Sequence, residues 1–380
     1  MKLPKKTYQL KSESDDLRLT DKNQEMVSTP TNRRAFLKKI AALTIITSFP
    51  PAFGHKLKDM EGKIVTVTGA ILPDKMGVSL IHEHIMSTFG EEKKLNPDYD
   101  TEKLFAQVLP YLKKIRGLGC RTIVECTAAY FGRDPKILQK LSQQSGLYII
   151  TNTGYYGAAN DRYVPDHAYK EDAETIAQHW ISEWEQGIGD TGIRPGFIKT
   201  GVDQGALSET DAKLVRAAAK THLKTGLTTA CHTANNQEAI LSSLEILREE
   251  GVNPNAWIWT HAHQAERLED LLHAAKQGVW ISLDGVTVEQ QDNENPLGGE
   301  VINKHVSYLV ALKKKGYLDR TLISHDGNSF TSSNTDTIRP FDAIFTHLIP
   351  RLQNEGFSKK EIDQLLVENP KEAFKIRIRK

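Results

Sequence analysis

GLTTACHTANNQEAILSSLEILREEGVNPNAWIWTHA, residues 226–262, is the stretch on which the fold turns. Two apolar runs, 227–233 and 256–262, read as buried strands, and each carries a histidine near its end, His232 and His261. Between them, residues 235–250 place apolar side chains at helical spacing and stop before Gly251, a residue that closes helices because it enters the left-handed conformation without a steric cost. A strand, a helix and another strand in this order make a unit whose strands lie parallel.

The unit recurs on both sides. Strand-like runs stand at 78–84, 122–128, 147–154, 196–201, 227–233, 256–262, 279–285 and 321–327. Helical spacing fills the intervals at about 101–118, 134–145, 170–187, 209–225, 235–250, 265–277, 299–316 and 338–355. Asp100-Thr101 and Ser208–Asp211 supply N-caps, and Gly117, Gly146, Gly226 and Gly278 stand between helix and strand. Eight strand–helix pairs predict an α/β chain folded as a (β/α)8 TIM barrel. A short β hairpin in "KIVTVTGAILPDKMG" (63–77) precedes it, and "KKEIDQLLVENPKEAFKI" (359–376) reads as short closing helices. The rival, a doubly wound open sheet, wants a glycine-rich phosphate loop after its first strand, and "HEHIMS" is not one.

The N-terminus is different in kind. Residues 1–30 are polar and aperiodic and predict a disordered leader. Residues 31–54 have the layout of an export signal: "NRRAFLK" at 32–38 resembles a twin-arginine motif, an apolar core runs from Ile40 to Phe49, and Ala52-x-Gly54 offers a cleavage site. Met26 is a second candidate start. The expectation is a periplasmic or otherwise exported protein with no stable membrane span, since the apolar core is too short for one. Residues 1–54 hold ten basic and five acidic side chains, leaving 39 basic and 43 acidic in the remainder. A mildly acidic domain is not a nucleic-acid binder, and the tail "KIRIRK" is expected to be solvated surface. Cys120, Cys126 and Cys231 are too few for a disulfide framework and read as free packing residues.

In a TIM barrel the site gathers at the C-terminal ends of the strands. His82 and His84 end strand 1 in "VSLIHEH", Lys199 lies in strand 4, His232 and His261 end strands 5 and 6, and Asp326 ends strand 8. Residues i and i+2 of a strand share a face, so His82 and His84 aim together. Imidazole and carboxylate suit zinc, and also manganese, cobalt or iron. Four His and one Asp can hold one metal with an open position. Lys199 alters that count, because an ammonium repels a dication, whereas a neutral amine takes up carbon dioxide. The resulting carbamate can bridge two metals about 3.5–4 Å apart.

These motifs together resemble the phosphotriesterase-like branch of the amidohydrolases: HEH on strand 1, Lys199 in "FIKTG", His232, His261, and Asp326 in "SHDG", over roughly residues 62–376. The resemblance implies two divalent metals, zinc first among candidates. One would be held by His82, His84 and Asp326, the other by His232 and His261, with N6-carboxylated Lys199 and a hydroxide between them. Asp326 would then serve as ligand and as proton acceptor for attack on an ester-type bond. Two family positions depart from the pattern: the relay histidine after strand 7 falls on Gly285, and the relay aspartate beyond strand 6 falls on Gln264. That departure favours a lactone or carboxylic ester as the small-molecule substrate, with phosphotriesterase side activity. His263 and His325 are weaker candidates to replace the relay, and Tyr155 and Tyr156 are candidates to line the pocket. The alternatives are a mononuclear amidohydrolase or deaminase, which has no use for Lys199, and an exported metal-binding protein without catalysis. The sequence leaves a homodimer open.

Overall fold

Parallel pairing carries every expected strand around a barrel. An antiparallel hairpin comes first, β1 (Ile64–Thr66) with β2 (Gly69–Ile71). Strand 1 of the barrel is β3 (Ser79–His84) and strand 2 is β4 (Thr122–Glu125). Strand 3 is broken at Thr151 into β5 (Tyr148–Ile150) and β6 (Asn152–Thr153). Strands 4 to 7 are β7 (Phe197–Gly201), β8 (Thr229–His232), β9 (Trp257–Thr260) and β10 (Trp280–Leu283). Strand 8 is also broken, into β11 (Thr321–Ile323) and β12 (Gly327–Asn328). One ladder runs β12-β3-β4-β5 and the other β6-β7-β8-β9-β10-β11, so the two broken strands join the ladders into a ring. This is the (β/α)8 TIM barrel. The computed structural model describes residues 59–289, 299–332 and 339–380. The expected leader (1–30) and export signal (31–54) lie outside the described residues.

The helices α1 (Thr101–Gly117), α2 (Pro135–Ser145), α3 (Ala173–Gln186), α4 (Glu209–Thr225), α5 (Gln237–Glu249), α6 (Leu268–Lys276) and α7 (Gly299–Lys315) follow the expected spacing. Asp100 caps α1 by accepting from the Lys103 N–H, and Ser208 with Asp211 forms a full capping box on α4. None of the helices among the described residues is long and apolar enough to cross a membrane. The segment expected at 338–355 is instead a π-helical turn, Ile344–Leu348, running into α8 (Ile349–Asn354). The closing segment repeats this design: α9 (Lys359–Asp363), a π turn Gln364–Glu368, then α10 (Asn369–Phe374). Pro350 and Pro370 each follow the π turn by two residues. A proline lacks the N–H that would continue the ladder, and a widened turn accommodates the loss.

Two apolar layers hold the barrel. The outer one joins sheet to helices and includes Leu80, Ile123, Ile198 and Cys231. The inner one fills the barrel with Ile81, Val124, Ile150, Phe197, Ala230, Ile258, Trp280 and Leu322, closed below by Ile64 and Phe374. All three cysteines are free and buried.

The C-terminal tail corrects one expectation. "KIRIRK" is only in part solvated surface: Arg377 and Lys380 are exposed, but Ile376 exchanges backbone bonds with Gly62 and Lys63, and Arg377 N–H reaches Gly226 O. Arg379 is buried and donates to the carbonyls of Glu372, Ala373 and Lys375 at the end of α10, where a cation offsets the orphaned carbonyls. Its own backbone N–H donates to His222 Nε2 at 2.9 Å, while His222 Nδ1 donates to Leu227 O at 2.7 Å. Accepting at Nε2 requires the neutral imidazole, and burial pushes the His222 pKa down to about 4. The unfolded chain, with an ordinary value near 6.5, therefore binds the extra proton between those limits. Stability falls as pH drops from about 6.5 to about 4, by up to about 3 kcal/mol from this group. Urea unfolding at pH 7 and pH 5 should show a smaller acid loss in His222→Gln than in the native chain; equal losses would refute the assignment.

Candidate active site

A bulge decides which way strand 1 points its histidines. Between the pairs Leu80↔Ile123 and Glu83↔Glu125, β3 has one residue more than β4. Leu80 packs in the outer layer and Ile81 in the inner one, and past the extra residue His82 and His84 both open onto a cavity at the strands' C-terminal ends. Strict alternation from Leu80 would have turned both toward the helices. The sequence spacing put them on one face; the bulge makes that face the barrel interior.

Lys199 shares the inward face of β7 with Phe197, and His232 that of β8 with Ala230. A side chain at Gly154 would come within 2.1 Å of Lys199 O, so glycine is what lets strand 3 close against strand 4 here. His261 and Asp326 take left-handed backbone, with φ of 65° and 53°. For His261 the turn is decisive, because it follows Thr260 and would otherwise face the helices. Left-handed non-glycine residues concentrate where function demands an orientation.

All six anticipated residues (His82, His84, Lys199, His232, His261 and Asp326) line one cavity of about 530 Å³. Asp326 Oδ1 lies 3.4 Å from His82 Nε2 and 3.3 Å from His84 Nε2. Behind the rings, Asp284 accepts from His82 Nδ1 at 2.6 Å and His261 Nδ1 at 2.8 Å, one on each carboxylate oxygen. Thr127 Oγ1 donates to Met86 O and so accepts from His84 Nδ1 at 2.8 Å. Each of these rings thereby keeps Nε2 free for the cavity. His232 packs edge-on between His261 and Tyr156, with ring centroids 4.5 Å and 5.4 Å away.

Charge follows burial. Desolvation pushes His82 down to about 4 and lowers His84 and His232 as well, leaving neutral rings, the form that binds metal. For His261, burial also opposes the cation, but the Asp284 carboxylate outweighs it and raises its pKa. Asp284 is fully buried and Asp326 half-buried; desolvation alone would raise both carboxylates, and the surrounding imidazoles hold both far below the usual range. Lys199 is buried, and its Nζ finds no hydrogen-bond partner among the described residues. An orphaned amine beside four imidazoles and a carboxylate fits a site that receives cations and a lysine-derived bridge.

Four features were not anticipated. Asp284 is the last inward position of strand 7, in step with Trp280 and Ser282, and that parity was the available signal. Arg339 places Nη1 3.1 Å from Asp326 Oδ2. Phe89 and Phe131 join Tyr156 as an aromatic wall. Glu83, between the two histidines, accepts from Ser324 Oγ, His325 Nδ1 and the Gly327 N–H, which locks the break in strand 8 against strand 1.

Three of the candidates stand outside the cavity lining, two of them, His263 and His325, where their places beside inward-pointing ligands put them. Tyr156 lines the cavity, but Tyr155 lies behind it, its ring edge-on to Trp180 and its hydroxyl 3.3 Å from His167 Nε2. His325 faces away, bonded to Glu83 and accepting from the Ile344 N–H. His263 sits 3.2 Å from Asp284 Oδ1 without hydrogen-bond alignment and stacks on His305, outside the cavity lining. It fills the space next to Gly285, where an added Cβ would lie 2.6 Å from His263 Nε2. Gln264 is exposed.

Comparison with known proteins gives a concordant result. The phosphotriesterase family model matches residues 62–374. A phosphotriesterase homology protein of Escherichia coli is 26% identical over 302 residues, covering 79% of this chain and 99% of its own length. An N-acetyltaurine hydrolase of Xenopus tropicalis is 25% identical over 347 residues, covering 83% and 99%. A solved structure described as organophosphate hydrolysis engineered from a weak promiscuous lactonase superposes with a TM-score of 0.72 at 26% identity, covering 82% of this chain and 99% of that one.

Proposed function

Because the chain belongs to the phosphotriesterase family, we propose that it is a binuclear metal-dependent hydrolase acting on an ester-type bond, a lactone or carboxylic ester. The observation that carries the reading is the buried, unpartnered Lys199 amine set among His82, His84, His232, His261 and Asp326 in one cavity. His82, His84 and Asp326 would hold one cation, His232 and His261 the other, and carboxylated Lys199 would join them. When bound, such ions polarise the substrate oxygen and lower the pKa of water to near neutrality.

The chain's own residues supply the rest. Asp284 and Thr127 fix the imidazole tautomers, an outer-layer role that preserves ligand basicity. Asp326, anionic and open to the cavity, accepts the proton released as water attacks the carbonyl and returns it to the departing alkoxide. Phe89, Phe131 and Tyr156 form a wall for the apolar body of the substrate.

Substrate choice follows from what lies beyond Asp326. Apart from the candidate ligands, no histidine among the described residues lining the cavity is placed to carry a proton outward from it: position 285 is glycine, and His263 is packed behind Asp284. Ring opening of a lactone needs only local return of the proton to its alkoxide. The relatives' names span lactone, organophosphate and N-acyl substrates, so a broad screen of the metal-loaded protein is the test. We expect kcat/KM for the best lactone or ester to exceed that for the best phosphate triester by at least tenfold, about 1.4 kcal/mol at the barrier. Triester turnover near the diffusional limit with every lactone and ester ignored would overturn the reading.

A further inference from the structure

The cavity has two unlike walls. Phe89, Phe131 and Tyr156 make one; Ser87, Asn328, Thr331 and Arg339 contribute the polar side. Arg339 is held there by its backbone. Its N–H donates to Asn328 O at 2.9 Å and its carbonyl accepts from the Asn328 N–H at 2.8 Å, a closed antiparallel bridge. Asn328 is itself buried, with its side-chain amide donating to Ser87 Oγ at 2.8 Å and to Thr331 Oγ1 at 3.1 Å. Through β12 it pairs with His84 on strand 1. The guanidinium is therefore mounted on the same strands that present the candidate ligands.

Arg339 spends Nη1 on Asp326 Oδ2. Its Nε–Nη2 edge engages nothing among the described residues, and the side chain is 56% exposed. Asp326 is the one carboxylate side chain among the described residues lining the cavity, and Arg339 already meets its Oδ2. A planar fork at the mouth of the cavity, with a second edge that engages nothing among the described residues, is built to take an oxyanion in two parallel hydrogen bonds.

We propose that Arg339 is a substrate-binding residue that receives an oxyanion, a carboxylate or its sulfonate analogue, carried on the acyl side of the scissile carbonyl. The proposal rests on the hydrolase reading of this cavity and narrows it: the substrate is an acid-bearing ester or lactone with an apolar segment against the aromatic wall. Arg339 acts by positioning this group, while its bond to Asp326 keeps the anchored substrate next to the proton acceptor.

The test compares two aryl esters of similar length, mono-p-nitrophenyl succinate and p-nitrophenyl butyrate, with the metal-loaded full chain. The native protein should prefer the succinate ester. In Arg339→Ala the succinate-to-butyrate ratio of kcat/KM should fall by about tenfold or more, equivalent to ~1.4 kcal/mol, mainly through KM for the succinate ester. Arg339→Lys should recover part of the ratio, since the charge returns without the fork. An unchanged ratio, with both esters slowed alike, would overturn the proposal and leave Arg339 as a support for Asp326 alone. If neither ester is hydrolysed, it is the hydrolase reading that fails, and calorimetric titration with succinate and butane-sulfonate still decides the oxyanion site. Binding by the native chain that Arg339→Ala loses would support it, and equal or absent binding in both would overturn it.

Discussion

Lys199→Ala is expected to retain fewer than two divalent ions per chain and to lose about a thousandfold in kcat/KM, ~4 kcal/mol at the transition state. The side chain is 1% exposed, and Nζ has no partner among the described residues. A buried amine in that state forfeits the hydrogen bonds it makes in water. Under the proposed function, reaction with carbon dioxide would change its character: the nitrogen would lose a proton, and a carboxylate with one charge shared over two oxygens would stand in the midst of the imidazoles. Alanine would remove the proposed bridge while leaving the outer layer of β7 untouched, since Ile198 and not Lys199 packs against the helices. The variant should therefore fold. Elemental analysis of the purified protein gives the metal count, and acetate or propionate should restore part of both metal and activity by standing in for the carbamate. A variant with two metals and full activity would remove Lys199 from the mechanism.

Asp284→Asn is the second large effect and the more specific one. The two oxygens of Asp284 serve two histidines separately, His82 on Oδ2 and His261 on Oδ1. Asparagine keeps the volume but has one acceptor oxygen and one donor nitrogen. One imidazole must then accept at Nδ1, which places its proton on Nε2, the atom turned toward the cavity. That ring can no longer bind a cation until the network rearranges. Loss of an outer-layer partner costs about 10–100-fold in metal affinity, and a full tautomer reversal should reach the upper end. Competition with a chelator would measure it. Native-like circular dichroism with metal affinity reduced a hundredfold is the expected result; unaltered affinity would show that Asp284 does not orient the rings.

Much of this architecture was legible because burial and polarity conflict so seldom in a strand. His82, His84, Lys199, His232, His261 and Asp326 stood out as ionisable residues in or at the ends of apolar runs, and position along a parallel strand converts directly into height in a barrel. Orientation was less legible. The bulge before Glu83 and the left-handed turn at His261 are backbone events that leave no mark on composition, yet both decide which side of the sheet receives the ring. Asp284 was passed over although it stands near the end of the run 279–285, because the two histidines it serves, His82 and His261, reach it only through the fold. Arg339 was invisible for another reason: its place depends on the bridge to Asn328, formed across a loop. The tail failed through a rule applied too widely. Arg379 is basic, but the free carbonyls closing α10 give a buried guanidinium its partners.

The packing of His263 against Gly285 constrains how this site can evolve. A histidine introduced at 285 meets His263 Nε2 at 2.6 Å from the Cβ alone, and it must also adopt a φ of 91°. The substitution is therefore closed to the present chain as a single step. Shrinking position 263 first opens the space, but it also strips one contact from Asp284 and the stacking partner from His305. The two changes are coupled: a side chain at 285 needs room that a smaller residue at 263 provides, while the φ of 91° disfavours any side chain there in either background. Directed evolution that accumulates one mutation per round should stall at position 285, whereas a library randomising 263 and 285 together reaches combinations that stepwise selection cannot.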